Sequence, residues 1–329
     1  MPKLFLFGIA LISTAVSVSG CSGGGATPSA GLSSTSTAAV RELLSPAFKK
    51  PALVAFDTQK GTLEYWPISP SGGTNPSTIS GPLGIFQGYN MVANGNTVAI
   101  ANYSPAEVVT YNVKTKVENT LPDPYGSPVD IAIDKKATLY ALNLASVAVY
   151  KAGSSQPTEL TCSYIYDAFA IAVDNEGDVF VNGYGPGGFM GVVEYPGGSK
   201  PCIKPHLRAE LGYAAGIGVN PRNDDLIVVD NPNLCAGGFE GRMVIYPKPY
   251  EQRTSRRRNL NATYCAGTFR LDATSSNIFV SDSSVSAGYP IIDQRSYPAA
   301  HDEGTYTGGL SGSGDAFGGF TTIPNTLPN

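Results

Sequence analysis

The chain has 329 residues, 15% of them charged, and a formal net charge of −4. That balance supplies no basic field to hold a nucleic-acid backbone, which excludes nucleic acid as the main partner. Two histidines, and five cysteines without a Cys-x-x-C spacing, leave little material for histidine catalysis or a zinc site.

In chain order, Lys3 is followed by an unbroken run of apolar and small residues from Leu4 to Val18. The run is too short for a membrane span of about 20 residues and suits the hydrophobic region of a signal peptide. It ends in VSGC, residues 18–21. This tetrapeptide resembles a bacterial lipobox, with small Ser19 and Gly20 ahead of Cys21. The resemblance implies a signal peptide over residues 1–20 and a diacylglycerol on the Cys21 thiol. It also implies a protein held on a cell-envelope membrane without crossing it. With three acyl chains, at about 0.8 kcal/mol per buried CH₂, such an anchor is effectively permanent. Ser22 in place of Asp points to the outer membrane where a cell has two. An ordinary signal peptide with an incidental Cys21 is the alternative.

Residues 21–50 are rich in Ser, Gly and Thr and carry no charge before Arg41. They read as a flexible tether, of which about 20 residues reach about 25 Å. AAVRELLSP within it has material for one or two helical turns, marginal in isolation. The folded domain is expected over residues 51–329, long enough for one large core.

That domain repeats. A first strand ends at Asn94, Asp134, Asp174, Asn220, Asp272 and Pro324, at spacings of 40, 40, 46, 52 and 52. Tight turns such as DNEGD follow, and then a second strand: VAIAN, LYALN, VFVNG, LIVVD and IFVSD. A sixth second strand, LVAFD at 53–57, has no first strand before it. Each third strand closes on an aromatic: Trp66, Tyr111, Tyr150, Tyr195, Tyr246 and Tyr297. Val, Ile, Tyr and Phe dominate these runs with the alternation of half-buried strands, and Pro or Gly stops them. No window places apolar residues at helical spacing over about 10 positions. The class is all-β, and six such packets predict a six-bladed β-propeller. The C-terminal GGFTTIPN is a first strand without a second, so pairing it with LVAFD closes the ring and removes two open edges.

AIAVDNEGDVFVNG, residues 170–183 in blade 4, resembles the NHL-repeat class of six-bladed propellers, with long Gly-rich loops replacing the polar and basic positions common after the second strand. The resemblance implies the fold and leaves activity open, since that superfamily includes binding modules, sugar-lactone hydrolases and lyases. Hydrolytic relatives hold a divalent metal at the channel mouth. Here that role would fall on Asp57, Asn102, Asn143, Asp230 and Asp282, oxygen donors that suit Ca²⁺. One Asx per blade is equally what a plain repeat uses to tie its strand ends through backbone amides. No cofactor is expected, with Ca²⁺ as the alternative.

His206 and His301 fall toward the blade exterior, and no nucleophile has a positioned base, so no catalytic constellation emerges. Cys162, Cys202, Cys235 and Cys265 form an even set that in an exported protein allows two disulfides in three pairings. Cys235 with Cys265 is favoured, because both connections emerge on one propeller face. That face also carries GYGPGGFMG (183–191), NPNLCAGGFEGR (231–242) and SSVSAGYP (283–290). Tyr184, Phe189, Phe239 and Tyr289 stand there among glycines as candidate contact residues. RTSRRRN (253–259) reads as a solvated loop. The expected function is a monomeric, membrane-anchored module that binds a protein, glycan or small ligand without catalysis. A metal-dependent lactone hydrolase or lyase is the alternative, and a display scaffold the third reading.

Overall fold

The computed structural model describes residues 51–85, 87–205, 207, 211–232, 241–250, 255–260, 266–272, 274–282, 291–307 and 317–323. Cys21 and the tether, His206, Cys235, Phe239, Cys265 and Tyr289 lie outside the described residues. The chain divides into Met1–Thr35 and Ser36–Asn329, and the described residues all belong to the second unit. Among them no helix is long and apolar enough to cross a membrane.

The strands come in six antiparallel sheets. Blade 1 contains β1 (Ala52–Asp57), β2 (Thr62–Pro67) and β3 (Ser77–Thr78), and blade 2 contains β4 (Gly88–Asn94), β5 (Thr97–Asn102), β6 (Glu107–Asn112) and β7 (Val117–Pro122). Blade 3 follows with β8 (Asp130–Ile133), β9 (Leu139–Leu142), β10 (Ser146–Tyr150) and β11 (Thr158–Thr161). Blade 4 has β12 (Asp167–Val173), β13 (Val179–Gly185) and β14 (Phe189–Tyr195). Blade 5 has β15 (Ala214–Val219), β16 (Leu226–Asp230), β17 (Arg242–Tyr246) and β18 (Arg256–Asn259). Blade 6 has β19 (Ala266–Leu271), β20 (Asn277–Asp282), β21 (Ile291–Ser296) and β22 (Asp302–Tyr306), after which β23 (Phe317–Ile323) returns to blade 1. There β23 pairs with β1, Ala52 opposite Ile323 and Ala55 opposite Phe320. The ring is a six-bladed propeller closed from both ends of the domain, as the mismatched terminal strands predict.

The innermost strands β23, β4, β8, β12, β15 and β19 pack against one another in that order, and β19 meets β23 again. An apolar cluster fills each gap between neighbouring blades. In β16, Leu226 and Val228 pack toward blade 4 while Ile227 and Val229 pack toward blade 6. Burial on both faces corrects the half-buried reading of these strands, and it explains why their apolar runs are nearly unbroken. Each fully buried Leu, Ile, Val or Phe contributes about 1.5–3 kcal/mol. The third-strand aromatics Trp66, Tyr111, Tyr150, Tyr195 and Tyr246 are buried in the gaps.

The turns after the inner strands obey one rule. Asp134 Oδ1 accepts the amides of Lys136 and Thr138, and Asp174 Oδ1 accepts those of Glu176, Gly177 and Asp178. Asn220 and Asp272 do the same for Arg222 and for Ser276 with Asn277. A short side-chain acceptor satisfies amides that a tight turn leaves without strand partners.

Two local expectations change. The arginine run is in part a strand: β18 is the exposed outer edge of blade 5, where like charges discourage another chain from pairing. Residues 183–191 form the end of a hairpin instead of an open loop, with Gly185 opposite Phe189 and Gly183 opposite Gly191. Glycine permits this, because a Cβ on Gly185 would collide with the Tyr164 carbonyl oxygen. The disulfide among the described residues joins Cys162 to Cys202 across 5.7 Å between Cα atoms. Cys162 follows β11, while Cys202 adjoins the Glu194–Ile203 bridge that stands in for a fourth strand in blade 4. Cys162–Cys202 is compatible with the favoured Cys235–Cys265 pair, whose two members lie outside the described residues.

Candidate functional site

Among the described residues the central channel shows a cavity at each end. The upper one, where second strands hand over to third strands, measures about 440 Å³. The lower one measures about 110 Å³ and is lined chiefly by aliphatic side chains of the inner strands, including Val92, Ile131, Ile171 and Ile217.

Arg270 lines the lower cavity and touches Asn90 and Thr268 of the upper one. It starts on β19 in blade 6 and reaches across to blades 2 and 3, where it donates to the Met91 carbonyl from Nε at 3.1 Å and Nη2 at 3.0 Å. Its Nη2 also stands 3.1 Å from Asp130 Oδ1 on β8. Asp130 is fully buried and accepts the amides of Ile131 and Ile171. Burial pushes its carboxyl up, against the pull of Arg270 and the two amides. A cation and an anion that both find hydrogen bonds are tolerated in a channel wall where either alone would be costly.

The upper mouth is ringed by aromatic side chains. Tyr89 and Tyr103 lie 5.2 Å apart between ring centroids. Phe169 meets Tyr184 edge-on at 5.3 Å and Tyr213 at 5.4 Å. Leu144 and Tyr166 are exposed on the same rim. Asp167, Asn90, Thr268 and Ser281 add polar atoms to the lining. Gly319 lines it too, at φ +84°, where a Cβ would press on the Asn90 backbone. Burial, and after it the Asp167 charge, raises Tyr184 above the usual phenol range; Tyr213 is raised by burial, by Tyr184 and by Asp167.

Two of the Asx residues at the second-strand ends, Asn102 and Asp230, hold segments of this rim in place. Asn102 Oδ1 accepts the Gln87 amide at 3.2 Å, two residues ahead of Tyr89, and its Nδ2 donates to Glu107. Asp230 Oδ1 accepts the amides of Gly212 and Tyr213, both at 2.8 Å, while Arg242 holds Oδ2. Asp57 accepts the amides of Gln59 and Lys60. Asn143 donates to Asp123 Oδ2, and Asp282 is buried. None of the five lines either cavity.

Of the aromatics expected on this face, Tyr184 stands at the rim. Phe189 is half-buried in the blade 4 hairpin, with the Lys204 ammonium 4.2 Å from its ring centre. Tyr89, Tyr103, Phe169 and Tyr213 escaped the reading of the sequence. Their signal was an aromatic at the entry of an inner strand (GYN, DAF, GYA) or just after a second-strand Asx (NY). At the lower end, Asp174, Glu176 and Asp178 cluster in the β12–β13 turn. Lys248 occupies that cluster, 2.9 Å from both Asp174 and Glu176. Burial works against its charge, but the hydrogen bonds to Asp174 and Glu176 hold its proton well above the usual range.

The geometry has known counterparts. The fold is shared widely. A chain of a nidogen/laminin complex superposes with a TM-score of 0.67 at 13% identity, covering 84% of this chain and 99% of that one. TolB from Acinetobacter baumannii gives 0.61 at 10% identity over 83% of this chain and 66% of that one. Hydrazine synthase of Kuenenia stuttgartiensis gives 0.53 at 12% identity over 74% and 75%. At such identities the likeness establishes the propeller and nothing about chemistry. The sequence matches no family model and no curated protein.

Proposed function

We propose that the protein is a lipid-anchored envelope module whose propeller mouth binds a ligand without transforming it. The observation that carries this reading is the upper cavity, lined by Tyr89, Tyr103 and Phe169 together with the polar Asn90, Asp167, Thr268 and Ser281. Aromatic side chains offer large contact area at low entropic cost, and a mostly apolar concavity with a few polar atoms is the usual form of a binding site. Binding is favoured over metal-dependent hydrolysis because oxygens of Asp57, Asn102 and Asp230 are engaged with backbone amides of the loops. The nidogen/laminin neighbour is a protein found in a protein complex, which agrees with a partner-binding role.

A photo-crosslinking side chain at Tyr89, in the full chain in intact cells, tests the reading. Position 89 is expected to give a discrete adduct, and exposed Val117 on the outer strand of blade 2 none. Equal adducts from both positions, or none from position 89, would sink it. The anchor is tested separately: Cys21→Ser is expected to lose incorporated fatty acid and membrane retention. Retention unchanged in that variant would end the lipoprotein reading.

A further inference from the structure

Among the described residues the upper mouth carries one charge without a partner. Asp167 opens β12 beside Tyr166 and is the only charged side chain lining that cavity among the described residues. Among the described residues its carboxylate finds no hydrogen bond or ion pair, unlike Asp130 or Asp230. Arg270 in the channel wall is committed elsewhere, to Asp130, Met91 and the Phe269 carbonyl. Around Asp167 stand Phe169, Tyr184 and Tyr213 in mutual edge and tilted contact, with the Tyr89–Tyr103 pair also at the mouth. Aromatic faces are the negative side of the ring quadrupole and attract cations, more strongly when water is partly excluded. An unpaired carboxylate among them adds attraction of the same sign. An anion entering the mouth would meet both as repulsion.

Resting on the reading of the mouth as a binding site, we propose that it takes an organic cation, an ammonium or guanidinium group at the tip of its ligand. Asp167 is the counter-charge, and Phe169 with the tyrosines forms the walls. A cavity of about 440 Å³ suits a side-chain tip or small head group. The cation enters where the described lining offers no competing positive charge.

Titration of the purified full chain with small probes tests this, followed by calorimetry and ligand-observed NMR. N-acetyl-lysine methylamide represents a peptide source and choline a head-group source. Their neutral counterparts are the norleucine amide and 3,3-dimethylbutan-1-ol, with cellohexaose as a neutral glycan. At least one cation is expected to bind about ten-fold or more tightly than its neutral counterpart, equivalent to about 1.4 kcal/mol. Asp167→Asn should erase that preference with an unchanged melting temperature, since its carboxylate holds no structural bond. Phe169→Ala should weaken cation and neutral probe alike. Equal binding of the members of each pair, preference for cellohexaose, or an unaltered preference in Asp167→Asn would overturn the cation assignment and leave the mouth as a site. Failure of both cations to bind at millimolar concentration would overturn it too, and the crosslink at position 89 then decides independently whether the mouth binds anything.

Discussion

The two ends of the channel are built from the same six strands, yet they differ in almost everything that matters for recognition. At the lower end, four inner strands finish in the same Asx-capped turn, and the channel narrows to an aliphatic cavity whose nearby acidic cluster is already occupied by Lys248. At the upper end the period breaks: blades 2 and 4 line the cavity with aromatic and polar residues, blade 6 with Thr268 and Ser281, blade 3 with Val129 and Leu144, and the cavity is about four times larger by volume, about 440 against 110 Å³. A repeat holds constant what folding needs, so variation concentrates where contact with another molecule is made. The wall between the two ends is what makes them separable, and it is also where the comparison is easiest to break.

The largest expected effect comes from removing the wall itself. Phe320 and Ile323 of β23 are fully buried, Thr321 accepts the Ala93 amide on blade 2, and Thr322 donates to the Leu271 carbonyl on blade 6. Deleting residues 317–329 forfeits about 1.5–3 kcal/mol for each of the two apolar side chains and about 0.5–1.5 kcal/mol for each ladder bond. Their sum rivals a domain's whole stability of about 5–15 kcal/mol. The truncated chain is expected to lack a cooperative melt by circular dichroism. A melt like that of the full chain would remove β23 from the channel wall and the closed ring with it.

Next in size is the ion pair in the channel wall. Arg270→Met leaves Asp130 buried without its cation and is expected to cost about 3–5 kcal/mol in urea unfolding. Adding Asp130→Leu should recover most of that loss, since an apolar pair of similar volume replaces a buried ion pair at little cost. A single variant as stable as the parent would mean that this contact does not tie blade 6 to blades 2 and 3.

The disulfide should weigh somewhat less. Cys162–Cys202 closes a 40-residue separation and stands just before Tyr164–Asp167, the segment that delivers the rim of blade 4. Replacing both cysteines by serine is expected to cost about 2–4 kcal/mol. It should also weaken binding at the mouth, because the segment then starts from an untethered edge. Stability lost without any change in binding would confine the bond to holding blades 3 and 4 together.

How much of this was legible follows from the same contrast. The period of 40–52 residues, the aromatic closing each third strand and the orphan strands at the two ends all come from local propensity and burial, so they stand in the sequence. Tyr184 was legible because it lies in an unusual glycine-rich stretch. Tyr89, Phe169 and Tyr213 were not, since each sits at a strand entry where an aromatic looks like core, and only closure of the ring brings them around one opening. Arg270 and Asp130 are 140 positions apart. Nothing local marks either as a partner of the other. The Asx residues at the second-strand ends were picked out for their oxygens, and the oxygens do matter, but Asn102 and Asp230 direct them at the amides that set Tyr89 and Tyr213 in position.

The smallest effect on stability should accompany the clearest loss at the mouth. Tyr89 is 44% exposed and Leu144 likewise, so replacing either by serine removes apolar area that water already reaches. Surface substitutions of that kind usually stay within about 0.5 kcal/mol. Each variant is expected to melt within a degree or two of the parent, a shift of that order for a domain of this size. Probe binding at the upper end should fall several-fold in the same proteins, and so should the position-89 crosslink in Leu144→Ser, while Lys135 at the lower opening, replaced by serine as a control, leaves binding unchanged. A rim variant that unfolds early would show that these side chains serve packing. Binding that survives both rim substitutions but fails in the Lys135→Ser control would move recognition to the lower end and reverse the assignment of the two faces.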